Sequence, residues 1–321
     1  MRIKDIAERA NVSMITVSRV INTPEKVSPE TREKITAILE EVGYVHNTAA
    51  HNLARKKSGV ICVYYSKDMG LLDPFFQQFL VGVGAKLSEA NYSISLVNEI
   101  KPTQFCDGYV FSGHNFSDKA LENAKKTGKP VALFGSIDDD KIDCIDTDNE
   151  KSAKTVVEYL LRNGSKKIAI VLNTVNGNYV HDRFQGYKDA LEVNGLSYDD
   201  SLVYTVDNSI QGGMEAASRI KNRLGEIDGV FCITDLMAIG FIMGMENSGV
   251  KIPEDISVVG FDGLGHHLMS KPRVTTMVQP VYDISRSLAQ CLLDRINNPD
   301  LPRTKRLLDG KLLEEESVKQ K

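Results

Sequence analysis

No run of apolar residues approaches the roughly 18 that a membrane-spanning helix needs, so a transmembrane protein is excluded. The opening residues carry Arg2, Lys4, Asp5, Glu8 and Arg9 in place of an apolar h-region. No secretory signal is expected, and the chain is assigned to the cytoplasm. Cysteine is sparse and scattered: Cys62, Cys106, Cys144, Cys232 and Cys291 form no CxxC pair. Most lie in apolar stretches, where a free cysteine behaves as a small hydrophobe, so neither a disulfide frame nor a zinc cluster is indicated. P-loop, G-x-S-x-G and H-E-x-x-H patterns are missing, and Gly82-Val83-Gly84 sits in a helical stretch without a third glycine. These gaps favour binding over catalysis and call for neither cofactor nor metal.

What is present fits a globular protein. The chain has 321 residues, 42% apolar and 26% charged, enough for about two domains. Its net charge of -4 divides unevenly, +3 over residues 1–60 and -7 over the rest. A small basic head on an acidic body suggests an anionic partner for the head.

In the head, Ile3, Ile6, Ala7 and Ala10 line one face of a short helix. Asn11 tolerates the left-handed turn that follows, and Ser13 caps a second helix running to Ile21, with Val17, Val20 and Ile21 inward. Ser28 as N-cap, Pro29 at N1 and Gly43 as C-terminal stop bound a third helix carrying Ile35, Ile38, Leu39 and Val42. Three short helices with a tight turn make a helix-turn-helix domain. The second helix turns Met14, Ile15, Ser18, Arg19 and Asn22 outward. Apolar side chains beside an arginine suit a major groove, where arginine grips guanine and apolar groups meet thymine methyls.

After Tyr44, Asn47 caps at most two helical turns, too short to be helical alone in water, and Arg55-Lys56-Lys57-Ser58-Gly59 reads as a linker. Leu53 is its one large apolar residue, to be used either against the body or against another partner.

The stretch MRIKDIAERANVSMITVSRVINTPEKVSPETREKI, followed by GYVHNTAAHNLA, resembles the DNA-binding head and hinge of the LacI/GalR family of bacterial transcriptional repressors. The resemblance implies that Met14, Ile15 and Arg19 read bases. It places Ser13, Thr16, Ser18, Asn22, Lys26, Ser28, Thr31, Tyr44 and Asn47 against bases or phosphates, and Leu53 as a wedge in the minor groove. His46 replaces the usual proline before Asn47, and the Met14-Ile15 pair leaves the operator sequence open. The implied organisation is a head (1–46), a hinge (47–58) and a body (59–321). The body would divide into a first subdomain at 59–147 and 281–303 and a second at 148–280 and 304–321.

From Gly59 onward the pattern is of buried strands separated by amphipathic helices. The strand runs are Val60 to Tyr65, Ile94 to Val97, Tyr109 to Phe111, Val131 to Phe134, Ile168 to Leu172, Leu202 to Val206, Val230 to Ile233 and Ser257 to Phe261. Such a pattern, repeated before and after about residue 147, predicts two Rossmann-like α/β subdomains with ligands beyond the strand ends, and the family's body is periplasmic-binding-protein-like. Between Val97 and Tyr109 there is no room for the usual crossover helix. The acidic run Asp138-Asp139-Asp140 to Asp143, Asp146 and Asp148 lacks the glycine and distal glutamate of an EF-hand and reads as a solvated loop with a helix cap at Asp148. His266-His267 has no third ligand in view and reads as a loop pair.

Arg183, Thr234, Asp235, Asp262 and Gln279 stand at strand ends or helix starts, where a polyhydroxylated ligand could be held, or where caps and ion pairs would be needed. The resemblance favours ligand contact for Arg183 and Asp262 and adds Phe75 and Phe76 as an aromatic contact. Asn208 falls where some members stack an aromatic on the ligand, and Glu315 where an arginine is common. The implied protein is a repressor, homodimeric on a pseudo-palindromic operator and nucleoid-associated when bound. Its effector would be a sugar, a purine or a phosphoprotein corepressor. A periplasmic-type solute-binding protein would need a signal peptide and no head, and an α/β enzyme would need a nucleophile or cofactor loop.

Overall fold

The computed structural model describes residues 3–44, 57–66, 73–113 and 119–321. The chain forms two compact units, Met1–Ser58 and Gly59–Lys321. In the first, α1 (Ile3–Ala10), α2 (Met14–Asn22) and α3 (Pro29–Glu41) enclose a core of Ile6, Ala7, Ala10, Val17, Val20 and Ile35. Asn11 turns the chain with φ +54°, and Gly43 ends α3 with φ +58°. Ser13 caps α2, its Oγ accepting the Thr16 N–H at 3.1 Å. Ser28 occupies the expected N-cap position of α3, but its hydroxyl donates to Thr31 Oγ1 at 2.9 Å rather than receiving a backbone N–H.

The second unit contains two six-stranded sheets. The first is built from β1 (Val60–Tyr64), β2 (Ser93–Val97), β3 (Gly108–Phe111), β4 (Val131–Phe134) and β5 (Asp143–Thr147), with β11 (Lys305–Leu308) at one edge. All its neighbours are parallel, in the order β11-β5-β4-β3-β1-β2. Helices α4 (Pro74–Glu89) and α10 (Val281–Asn297) cover one face through Phe76, Phe79, Val83, Leu288 and Leu292. The opposite face is closed by α5 (Ala120–Lys126) and by Ile100 and Cys106 from the irregular segment between β2 and β3. That segment contains no helix, as its length requires.

The second sheet has the order β12-β10-β9-β8-β6-β7, from β6 (Ile168–Asn173), β7 (Val203–Val206), β8 (Gly229–Cys232), β9 (Ser257–Asp262), β10 (Thr275–Val278) and β12 (Lys311–Leu313). Only β12 runs antiparallel to its neighbour. Helices α6 (Asn149–Arg162) and α7 (Asn178–Val193) pack on each other, as do α8 (Ile210–Ile220) and α9 (Asp235–Glu246). Gly186 permits the first pairing, since a Cβ there would overlap the Glu150 carbonyl. The core of this half combines Ile170, Val171, Phe231, Ile233, Val258 and Phe261 with inward helix residues such as Val156, Leu160 and Tyr187.

Two expectations are corrected. Asp143–Thr147 is not a solvated loop but a wholly buried strand. Its acidic character is reconciled with burial by a long-range partner: Arg295 on α10 donates Nη2 to Asp143 Oδ1 at 2.9 Å and Nε to Oδ2 at 3.1 Å. The passage from the first to the second subdomain falls at Asp309–Gly310 rather than before residue 304, because Lys305–Leu308 pairs with Asp143–Thr147. Asp148 does cap α6, accepting the Lys151 N–H at 3.0 Å.

Candidate functional site

In the head, burial of Val17 and Val20 fixes which side of α2 faces out. Met14 and Ile15 are 55% and 64% exposed, and Arg19 is exposed with them. Thr16 shares a 2.9 Å hydrogen bond with Ser13, so these two hydroxyls lie together at the N-terminal end of α2. Ser18 is half-buried, Lys26 and Ser28 are exposed, and Thr31 is half-buried. Tyr44 packs its ring against the head core. Met14, Ile15 and Arg19 thus share the exposed face of α2, whose positive dipole end lies near Ser13 and Thr16. Asn47 and Leu53 lie outside the described residues, as does the side chain of Asn22.

In the body, side chains at the strand ends form a closed polar ring joining the two sheets. Arg183, on α7, is 3% exposed. Its Nε donates to Asn149 Oδ1 at 2.9 Å and its Nη1 to the Ile233 carbonyl at 2.5 Å. The guanidinium lies 3.5 Å from the centroid of the Phe261 ring and 5.0 Å from that of Tyr179, and Nη1 is 3.7 Å from Asp262 Oδ1. Asp262 in turn accepts Gln279 Nε2 at 2.8 Å, and Gln279 Oε1 accepts the Thr147 hydroxyl at 3.0 Å. Asn149 closes the ring by donating to the Thr147 carbonyl at 3.0 Å and to Asp146 Oδ2 at 3.2 Å.

Asp262 ends β9 with φ +133°, a strained backbone for a residue with a Cβ. The Gln279 N–H holds it there through its carbonyl at 3.0 Å.

Charge around the ring is unbalanced. Burial pushes Asp146 up to about 7, a rise opposed by the Thr147 N–H and by Arg183. Burial also raises Asp262, with Arg183 opposing and Asp235 and Asp73 reinforcing, though a quarter of its side chain still meets solvent. One guanidinium therefore serves several carboxyls. Its planar fork is still suited to vicinal hydroxyls, because among the described residues its Nη2 makes no hydrogen bond.

The remaining expected residues divide. Thr234 caps α9, accepting the Met237 N–H at 3.4 Å, and donates to Asn208 Oδ1 at 2.8 Å. Asp235 makes none of the ring's hydrogen bonds. Its carboxylate accepts the Thr276 hydroxyl at 2.6 Å and the Gly263 N–H at 2.8 Å, so it braces β9 and β10 from the start of α9. Phe75 is half-buried and meets Phe134 edge to face at 4.9 Å. Phe76 is a buried core side chain between Tyr65 and Phe79. An open depression of about 580 Å³ borders the ring at Thr147 and Asn149 and is otherwise walled mostly by charged residues, including Glu150, Lys154 and Asp182.

Four residues were missed. Asn149 and Thr147 complete the ring. Tyr179 lies by the guanidinium and accepts Asn173 Nδ2 at 3.0 Å. Asp73 caps α4, accepting the Phe75 N–H at 2.8 Å, close enough for its charge to act on Asp262. The Asp-Asn pair after a strand was a usable signal for Asn149. Asp73 had none beyond a cap.

Residues 2–47 match the model of bacterial regulatory proteins, lacI family, and residues 157–318 match the periplasmic binding protein-like domain. The chain is 33% identical over 310 residues to catabolite control protein A of Priestia megaterium, covering 93% of each. The solved transcriptional regulator CelR in complex with cellobiose superposes with a TM-score of 0.76 at 28% identity, over 99% of both chains. A LacI family regulator from Enterococcus faecium with bound ribose matches 81% of this chain and 99% of its own, with a TM-score of 0.73 at 27% identity.

Proposed function

Because the chain belongs to the lacI family of bacterial regulatory proteins, we propose that it is a cytoplasmic repressor, homodimeric on a pseudo-palindromic operator, and that a small uncharged carbohydrate at the Arg183 ring controls its grip on DNA. One three-helix head offers few base contacts, and paired heads read half-sites about one helical turn apart. Arg19 would take guanine while Met14 and Ile15 meet thymine methyls.

The observation that carries the effector reading is the ring itself. Thr147, Asn149 and Gln279 lie at the connections between the two sheets, so a ligand that takes over partners of Arg183 or Asp262 changes how the halves are joined. Several carboxyls around one guanidinium disfavour a phosphate group, which would add negative charge. Cellobiose and ribose in two solved relatives are uncharged sugars and agree with this choice.

The test is a thermal-shift screen of the full chain against neutral sugars, sugar phosphates and purines, followed by operator binding with each hit. A bound ligand raises the melting temperature by mass action. Arg183→Ala and Asp262→Ala should abolish the response and leave operator affinity near the wild-type value. A variant that still responds at the wild-type ligand concentration would displace the site from the ring. Shifts with sugar phosphates or purines alone would overturn the choice of ligand. No shift with any compound would turn the reading toward a phosphoprotein corepressor.

A further inference from the structure

The face of the first sheet that lacks a helix between β2 and β3 is closed partly by Cys106, which is 4% exposed. Its sulfur has three polar neighbours. The Cys62 thiol on β1 lies beside it. Lys129, in the turn before β4, places Nζ 3.8 Å from Cys106 Sγ while donating to the Gln104 carbonyl at 2.6 Å. The Tyr109 hydroxyl is wholly buried, has no hydrogen-bond partner among the described residues, and faces the same sulfur.

A buried donor without an acceptor and a half-buried ammonium both favour negative charge on the sulfur they adjoin. The neighbouring Cys62 thiol, then the Tyr109 hydroxyl and the Lys129 charge, hold the Cys106 thiol below the ordinary range against the opposing effect of burial. The same contact drives Cys62 upward, making it the proton-keeping partner.

Cys144 supplies an internal contrast. It is also 4% exposed and belongs to the same apolar layer, but its thiol contacts the Ile142 carbonyl, at 4.0 Å, and not an ammonium. Burial pushes it up to about 11. Burial alone would make the two cysteines equally inert.

We propose that Cys106 is a modification site, a thiolate held by Lys129 and Tyr109 that hydrogen peroxide converts to sulfenic acid. The thiolate sulfur attacks one peroxide oxygen. An S–O bond forms as the O–O bond breaks, the sulfur loses two electrons and the peroxide gains them. The hydroxide that leaves takes a proton from solvent and becomes water. The adjacent Phe105 is 79% exposed, which brings the chain beside Cys106 to the surface, and peroxide is scarcely larger than water. Once formed, the sulfenic oxygen gives the unpartnered Tyr109 hydroxyl an acceptor.

The experiment treats the full chain at pH 7 with hydrogen peroxide and dimedone and follows labelling at each of the five cysteines by peptide mass spectrometry. Cys106 should label at least about tenfold faster than Cys144, since reactivity follows the thiolate fraction more steeply than nucleophilicity falls. Lys129→Met should slow Cys106 about tenfold and leave Cys144 unchanged, whereas Lys129→Arg should keep most of the rate. If Lys129→Met loosens the fold, seen as a rise in Cys144 labelling, Tyr109→Phe takes its place and should slow Cys106 alone. A Cys106 rate less than about tenfold above Cys144, or one that neither usable variant slows, overturns the assignment.

Discussion

Replacing Arg183 with methionine tests the ring as a piece of structure as well as a binding site. Methionine refills much of the apolar stem but removes the donors to Asn149 Oδ1 and to the Ile233 carbonyl, both buried. Each orphaned acceptor costs about 1–3 kcal/mol, and the lost stacking on Phe261 adds about 2. With some relief from repacking, the expected loss is about 3–5 kcal/mol, the usual range for breaking a buried charged network.

The variant should also change shape against pH. Asp146 and Asp262 have folded pKa values raised above the ordinary carboxyl range, so the unfolded chain ionises first. Stability is full below about pH 4 and falls until the folded groups ionise, near 7 for Asp146. Arg183 lowers both groups, so its removal should raise them further. The wild type should therefore level off once the pH passes about 7, while Arg183→Met continues to lose stability above it.

Urea unfolding at several pH values, followed by tyrosine fluorescence, measures both effects. The chain has no tryptophan, and ten of its eleven tyrosines lie after residue 58, so the signal reports the body. With a slope of about 3 kcal/mol per molar, the midpoint at pH 7 should fall by about 1–1.5 M. A fall below about 0.3 M, or parallel pH profiles for the two proteins, would refute the ring as a charged network.

Other consequences are open to measurement. Arg19→Ala should weaken operator binding by about 1–3 kcal/mol and relax selectivity at one base pair, whereas Thr31→Ala should weaken all sequences alike; equal losses on operator and random DNA for Arg19→Ala would remove its base-reading role. Asp143→Ala should cost about 3–5 kcal/mol in thermal or urea unfolding, because Arg295 is left buried without its carboxylate; a loss under about 1 kcal/mol would contradict that pairing. Gly186→Ala, which drives a Cβ against the Glu150 carbonyl, should cost about 1–3 kcal/mol by separating α6 from α7. Leu53→Ala should reduce operator affinity and DNA bending, read by gel mobility of permuted sites, without altering ligand binding.

Local signals explain which parts of this architecture could be read in advance. Ser13, Asn11 and Gly43 act on their own helix ends, so the head was legible residue by residue. Eight strands announced themselves as continuous apolar runs. Asp143–Thr147 did not, since DCIDT looks solvated until Arg295, 152 positions away, is brought to Asp143. Lys305–Leu308 is a mostly exposed edge strand whose pairing is decided by topology rather than by its own composition. At the ring, Arg183, Asp262 and Gln279 could be nominated because each closes or follows a recognisable run. Asp235 carried the same local signature, yet its carboxylate is spent on Thr276 and Gly263. Helix starts attract carboxylates whether they hold a ligand or a neighbouring strand, and only the third dimension separates the two uses.

The placement of β11 and β12 bears on how the body is completed during synthesis. Lys305–Leu308 finishes the first sheet and Lys311–Leu313 the second, so nine consecutive positions supply an edge to both. Until they leave the ribosome, the first sheet also waits for α10, which follows almost the whole second half of the chain. The second half, with five of its strands and all its helices already translated, can therefore assemble while the first is still short of a covering layer. A premature stop at residue 304 would remove an edge from each sheet at once, and a chaperone meeting such a chain would find two incomplete bodies rather than one whole and one damaged.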